Sequence, residues 1–434
     1  MPEGSPDVCS DARNWRSSGK RRFIPRRWIA YPADSVAACD GGRMTGQARS
    51  EGRKILDGVR VLDFTRVLSG PYCTALIADL GADVVKVESP DGDDYRHIGP
   101  FVAGESALFA TVNRGKRSIV LDLKAARSRR IALALARRAD IVVENFRPGV
   151  MAKLGLGWPD LSAINPRLVY VSISGFGQTG PNTARPAYDI VVQAMSGLMS
   201  ITGVPDGPPT MVGEAIGDVA AGLFAAWGCM VALFDRERTG EGRHVDVAMF
   251  DALLAMMPTP ACRHLAAGEQ PERVGNRHPL SAPFGVYRAR DGYFTVAVLN
   301  EKLFAIFAEV VGRSELAGDP QFASDALRRA NEPALAAAIE GWAGALSVAE
   351  TVAALTSAGI PASPIASIAQ AWASEQAEQR ALSSIVTHRT MGAVRLPEQP
   401  VHFGDSPRGG RRPAPSLNEH EAEILAELDW EGSA

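Results

Sequence analysis

The chain has 434 residues, 46% hydrophobic and 22% charged, enough for two domains or one large interrupted domain. A formal charge of -3 and a pI near 6.2 give no global attraction to nucleic acid, and no apolar run read along the sequence approaches a membrane span. Five cysteines (Cys9, Cys39, Cys73, Cys229, Cys262) and seven histidines show neither a disulfide framework nor ligand spacing, so we expect no metal site and a reducing, cytoplasmic setting.

Residues 1–53 stand apart. Arg13, Arg16, Lys20, Arg21, Arg22, Arg26 and Arg27 recur there without an apolar period, and the apolar core of a secretory signal is missing. A nucleic-acid-binding basic arm and a transit peptide are two readings of such a segment. We expect instead that translation starts at Met44, and that this basic extension is a mis-called start, disordered or loosely attached.

From Ile55 the pattern becomes orderly. Residues 59–64 form a short apolar run and predict a strand; Gly70-Pro71 punctuates; 72–80 predicts a helix closed by Gly81. Strands follow at 84–88, 118–121, 141–143 and 168–173, with a helix at 125–138. Short buried strands alternating with helices mean parallel βαβ units, right-handed connections and an open twisted sheet. Ligands gather at the carboxyl ends of such strands, which places the loops 65–71, 88–96, 144–149 and 174–189 on the functional edge.

Gly175-Phe176-Gly177-Gln178-Thr179-Gly180 matches G-x-G-x-x-G after a strand. A dinucleotide fingerprint also needs a helix opening at the last glycine. Pro181 follows instead, so we read these glycines as a tight turn.

The next stretch, from Gly207 through Gly213-Glu214-Ala215-Ile216-Gly217, ends on Asp218, and an apolar, small-residue helix is predicted over 219–234. Locally, Asp218 reads as an N-cap. A turn at 236–243, a strand at 244–247 and a helix at 250–257 come next. Residues 258–280 read as irregular. A smaller unit begins with strands at 284–288 and 293–299 around the turn Asp291-Gly292, followed by helices to about 358. Residues 382–404 read as strands, and Asn418 reads as the cap of a last helix, 419–428. The expected division is 54–257 for the first part of a large domain, 258–365 for linkers and a small domain, and 366–434 for the return to the large one.

Four stretches together resemble the class III CoA-transferases, the family of formyl-CoA transferase and carnitine CoA-transferase. They are Val61-Leu62-Asp63-Phe64-Thr65 with Gly70-Pro71; Asn113-Arg114-Gly115-Lys116-Arg117-Ser118 with Leu121-Asp122; Val143-Glu144-Asn145-Phe146-Arg147-Pro148-Gly149; and Gly213 to Gly217 with Asp218. The resemblance implies an α/β fold: a Rossmann-like open parallel sheet in a large CoA-binding domain built from both chain ends, a smaller α+β domain, and an interlocked homodimer. It implies Asp218 as the catalytic carboxylate, which attacks an acyl-CoA thioester and passes through mixed anhydrides and an enzyme–CoA thioester, so that a hard exchange is split into easier steps. CoA and acyl-CoA are then substrates, with a small carboxylic acid as acceptor and no tightly bound cofactor. By the same resemblance Asn145, Phe146, Lys124 and Lys153 line the CoA site. Val67 and Leu121 add apolar contact, and Leu68, Tyr188 and Asp189 stand near the acyl group.

The chain departs from the family pattern in two places. No glycine run occurs at 275–283, and Leu68 stands where the family often has Gln. Both changes argue against oxalate and formate as the natural pair and favour a larger, dicarboxylic or branched acid, with Arg277 or His278 as the candidate to meet a distal carboxylate. Two other readings remain. The α-methylacyl-CoA racemases share the fold, but their catalytic His position is Tyr188 in this chain, a poor α-proton base at pH 7. A non-catalytic CoA-binding protein would have no use for the Asp218 motif.

Overall fold

Successive β-branched residues in the predicted strands become a six-stranded parallel sheet. A computed structural model describes residues 54–404, 406 and 412–430; the expectations about residues 1–53 and Met44 fall outside them. The order of elements is β1 (Arg60–Asp63), α1 (Ser69–Asp79), β2 (Asp83–Glu88), a small hairpin of β3 (Phe101–Val102) and β4 (Glu105–Ser106), α2 (Ala107–Val112), β5 (Arg117–Val120), α3 (Ala126–Arg138) and β6 (Ile141–Glu144). Then come α4 (Val150–Lys153), α5 (Trp158–Ile164), β7 (Val169–Ser174), α6 (Asp189–Met195), α7 (Leu198–Ile201), α8 (Ile216–Thr239) and β8 (His244–Ala248). The sheet runs β5-β2-β1-β6-β7-β8, every neighbour parallel. The chain winds outward from β1 and then crosses back to lay β6 on its other side. The crevice between β1 and β6 is therefore a topological switch point, the place where open α/β sheets bind ligands.

Side chains alternate between two cores, as the pleat requires. Val61, Val84, Ile141 and Val143 face α1 and α8, whereas Leu62, Val85 and Val142 face α3. Both faces are covered, which is why these strands read as continuous apolar runs. Cys73 and Cys229 meet between α1 and α8 as buried free thiols.

After β8 come α9 (Met249–Ala255) and α10 (Pro258–Leu265). A three-stranded antiparallel sheet then forms from β9 (Phe284–Ala289), β10 (Gly292–Ala297) and β11 (Ala362–Pro364), with α11 (Glu301–Val310), α12 (Asp325–Ala330), α13 (Glu332–Ala343) and α14 (Val348–Ser357) between β10 and β11. It has its own core around Tyr287, Phe294, Phe307 and Leu335. The tail contributes α15 (Ile368–Trp372), α16 (Glu375–Gln379), the hairpin β12 (Ser383–His388) and β13 (Gly392–Pro397), and α17 (Glu421–Glu427). Ile424 of α17 is buried in the same core as Ile119 of β5, and Arg117 ties the helix down through Glu427 (2.7 Å) and Glu423 (3.0 Å).

Several helix limits differ from expectation. Helix α1 begins at Ser69, so Gly70-Pro71 lies in its first turn, where proline's missing N–H has no partner to lose. Helix α10 occupies part of a segment read as irregular; its prolines sit at its start. Helix α8 reaches Thr239 and ends on Gly240 at φ +80°, leaving only 240–243 as a turn. Asn418 is no cap: α17 starts after His420, and Asn418 Oδ1 instead accepts from the backbone N–H of Val120 at 2.7 Å. The sequence reading also missed that α8 is long and apolar enough to cross a membrane. Its face of Ala220, Ala221, Ala225 and Ala232 is buried in the core of the sheet.

Candidate active site

The loop after β1 is held in place by buried charge. Asp63 accepts from the Thr65 N–H (2.8 Å), the Thr65 hydroxyl (2.5 Å) and the Thr74 hydroxyl (2.7 Å), and pairs with Lys116 at 3.0 Å. Lys86 donates to the Thr65 carbonyl (2.7 Å) and pairs with Asp93 at 2.9 Å. Asp93 Oδ1 in turn accepts from the Val67 N–H at 3.0 Å. Asn145, after β6, closes the other side: its Oδ1 accepts from the Arg66 N–H (2.9 Å) and its Nδ2 donates to the Arg66 carbonyl (2.7 Å). Val67 is thereby fixed at φ +67°, a conformation that a β-branched residue adopts only when its surroundings impose it. Burial alone would raise the Asp63 and Asp93 pKa values, but the lysines outweigh it and both carboxyls sit below their usual range. Burial lowers Lys116 to about 8, against the pull of Asp63.

The opposite wall is the start of α8. Ala215 is the N-cap and makes no side-chain cap bond; Asp218 is the third helical residue. The capping reading of Asp218 is thus corrected. The first-turn N–H of Gly217 is taken at 2.7 Å by Asp189 from α6, which also accepts from Gln193 Nε2 at 2.6 Å. Asp218 is left half-buried and faces the crevice. One turn later on the same face stands Gly222, where an added Cβ would sit 2.7 Å from the Ser69 carbonyl oxygen and 3.0 Å from the Tyr72 ring. Only glycine lets α1 approach α8 so closely, and that approach sets Ser69 against Asp218. Burial, then the neighbouring Asp189 and Glu214, raise Asp218 to about 6, while hydrogen bonds from the Ser69 hydroxyl and backbone N–H pull the other way.

Between these walls lies a cavity of about 300 Å³, lined among others by Ser69, Asn145, Phe146, Tyr188, Asp218 and Met249. Arg66, Arg147 and Arg185 add positive charge to its rim. Arg66 pairs with Asp94 at 2.8 Å, whereas Arg147 and Arg185 form no ion pair among the described residues. Another cavity, of about 180 Å³, opens near Arg60, Asp83 and Arg117 at the amino ends of the strands and contains none of these groups. The cavity holding Asp218 can present an ionised carboxylate to a bound ester-like carbonyl and hold anionic groups at its mouth.

The model of CoA-transferase family III matches residues 56–421. This chain belongs to that family. An acetyl-CoA:oxalate CoA-transferase of Acetobacter aceti is 44% identical over 388 residues, covering 89% of this chain and 98% of its own. A succinyl-CoA:glutarate CoA-transferase of Mus musculus is 37% identical, covering 89% and 90% respectively. The crystal structure of a CaiB/BaiF family protein from Brucella suis superposes with a TM-score of 0.77 at 40% identity, covering 87% of this chain and all of that one. The protein is a class III CoA-transferase, and CoA thioesters are its substrates.

In this transferase the crevice brings together Val67, Asn145, Phe146, Tyr188 and Asp218 of the residues singled out from sequence. Leu68 is 7% exposed and does not line the cavity; Leu121 is buried in the sheet core. Lys124 and Lys153 are exposed on loops and short elements at the carboxyl edge, outside the lining. Asp189 lies behind Asp218, holding the backbone of Gly217. Sequence reading missed Ser69, Arg185 and the pair Lys86–Asp93. Buried ion pairs carry no periodic signature, and Ser69 lay inside a segment read as loop.

Proposed function

We propose that the enzyme moves CoA from an acyl-CoA to a free carboxylic acid through covalent intermediates on Asp218. The observation that carries this is Asp218 itself: a carboxylate on the wall of the switch-point cavity with acidic neighbours and, among the described residues, no cation paired to it. With a pKa near 6 it is ionised at pH 7 yet more basic than an ordinary aspartate, as a nucleophile should be. Its oxygen attacks the thioester carbonyl, CoA leaves as thiolate, and a mixed anhydride forms. The thiolate attacks the aspartyl carbonyl and releases the donor acid, leaving an aspartyl–CoA thioester. The acceptor carboxylate reverses the sequence.

Phe146 and Val67 supply an apolar bed for the CoA adenine, Asn145 holds the loop beneath it, and Leu121 backs it. Lys124 and Lys153 at the same edge suit the phosphates as point charges. Tyr188 belongs to the acyl end, with Asp189 behind Asp218. For the acceptor we infer a short dicarboxylic acid, oxalate included. The relatives named for oxalate and glutarate support this, and Leu68, which does not line the cavity, supplies no argument against oxalate.

We also propose a homodimer. Leu223, Trp227, Val231 and Phe234 recur at helical spacing along α8, and Trp227 and Phe234 are each 66% exposed. A helix apolar on every side calls for cover on every side. The separate cores support reading 54–257 with 366–434 as one large domain and 258–365 as a small one.

The test is to incubate the protein with acetyl-CoA or succinyl-CoA and a mixture of oxalate, glutarate, branched and monocarboxylic acids, and to read new thioesters by mass. We expect dicarboxylyl-CoA products. Products confined to monocarboxylic acids would refute the acceptor class, and no exchange with any pair would refute the donors chosen.

A further inference from the structure

Ser69 is 4% exposed and is the first residue of α1, yet its hydroxyl does not cap that helix, whose N-cap Leu68 makes no side-chain cap bond. Its Oγ accepts from Asn145 Nδ2 at 3.4 Å, which leaves the hydroxyl proton to be donated elsewhere. The close crossing of α1 and α8 at Gly222 places Ser69 against Asp218, and both line the cavity. We propose that the Ser69 hydroxyl is a catalytic group of the transfer, donating first to the Asp218 carboxylate and then to the aspartyl oxygen that becomes negative.

The inference rests on the covalent reading of Asp218 given above. In the free enzyme the hydroxyl holds one carboxylate oxygen, which orients the other toward the thioester carbonyl. Attack forms the C–O bond of the anhydride and breaks the C–S bond, the electron pair leaving on the thiolate. When that thiolate attacks the aspartyl carbonyl carbon, the C=O pair moves onto the oxygen facing Ser69. Collapse expels the donor carboxylate and restores the carbonyl. The proton stays on Ser69 throughout; only its acceptor changes charge. A donor already in place where charge develops is an oxyanion-type contribution. Asn145, bonded to both the Arg66 backbone and Ser69 Oγ, keeps the hydroxyl from turning away.

Among the described residues, the other charged or titratable groups facing Asp218 are Asp189 from α6, Glu214 from the preceding loop, Tyr95, and Arg66, Arg147, Arg185 and Tyr188 on the cavity wall. Ser69→Ala changes none of them. The experiment measures kcat, KM and the pH dependence of kcat/KM for acyl-CoA in the wild type and in Ser69→Ala, with acid-quenched mass analysis of the peptide containing Asp218 in both. Loss of the donor should raise the acid limb by about one pH unit and lower kcat roughly tenfold, with KM for acyl-CoA within about twofold. The CoA adduct on Asp218 should still form. An acid limb that stays in place overturns the proposal, whether kcat is unchanged or kcat and KM worsen together as a packing defect would make them. A wild type that turns over without any adduct on Asp218 refutes the covalent reading itself, and the proposal with it.

Discussion

Two groups of charged side chains flank the same crevice and are built on opposite principles. Beneath the loop after β1, two acids and two bases (Asp63, Lys116, Lys86 and Asp93) are fully or almost fully buried and paired at 2.9 to 3.0 Å. At the start of α8, Asp218 meets Asp189 from α6 and Glu214, three acids together without a basic partner in contact among the described residues. The first group has its carboxyl pKa values pushed down, the second has Asp218 pushed up. Paired charge makes scaffold: it fixes backbone, here the left-handed Val67. Unpaired charge stores reactivity, because a carboxylate with nothing to neutralise it gains more from bonding to an acyl carbon.

The largest effect should come from breaking the paired group. Lys86→Met leaves Asp93 buried without its cation and frees the Thr65 carbonyl, and should cost about 3–5 kcal/mol in urea unfolding. A loss under about 1 kcal/mol would show that the pair is not what holds the loop. Next comes the junction between the groups. Gly222→Ala drives a methyl into the Ser69 carbonyl, and a shift of α1 against α8 by a few tenths of an ångström or more should lower kcat by about 10- to 100-fold with far less effect on urea stability. Unchanged kcat would mean that the spacing of Ser69 and Asp218 does not matter.

The smallest effect has the opposite sign. The folded pKa of Asp218 is raised, so the native state binds its proton more tightly than the unfolded chain between about pH 4 and 6, and ionisation above that window costs stability. Asp218→Asn should therefore stabilise the fold at pH 7 by about 1–2 kcal/mol, an advantage that fades as the pH falls through the window. A destabilised Asn variant at pH 7 would show that Asp218 is structural, like Asp63. In the wild type, kcat/KM should fall about tenfold per pH unit below pH 6 if Asp218 is the nucleophile proposed, since it must then be ionised to attack.

Much of this contrast lay outside what the sequence could display. The strands of the six-stranded sheet were legible to within a residue or so, because runs such as Ile141-Val142-Val143 are buried on both faces and leave little else possible; the short strands β3, β4 and β11 carry no such run. Helix starts were not: Gly70-Pro71 and Pro258 look like breaks, yet the first turn tolerates both. Asn418 had the residue type of a cap but spends its side chain on the Val120 backbone at the edge of β5. Among site residues, Asp218, Asn145 and Phe146 came from motif resemblance, and the fold gathers them at one crevice. Lys116 and Asn113 stood in a quoted motif without a role; the structure shows them bonded to each other at 2.8 Å, below α1. Lys86, inside an apolar strand, gave no hint that its charge was paired, since the partner Asp93 lies on the following loop and reaches back to it.

The central claim is that Asp218 carries CoA covalently during turnover. It is tested most directly by mixing the enzyme with an acyl-CoA it turns over, quenching in acid, and weighing the proteolytic peptide that contains Asp218. We predict that this peptide gains the mass of CoA less one water, that the adduct is discharged by the acceptor acid, and that Asp218→Asn shows neither adduct nor exchange. Exchange at near wild-type rate in Asp218→Asn, or steady turnover with an unmodified Asp218 peptide, would contradict the account.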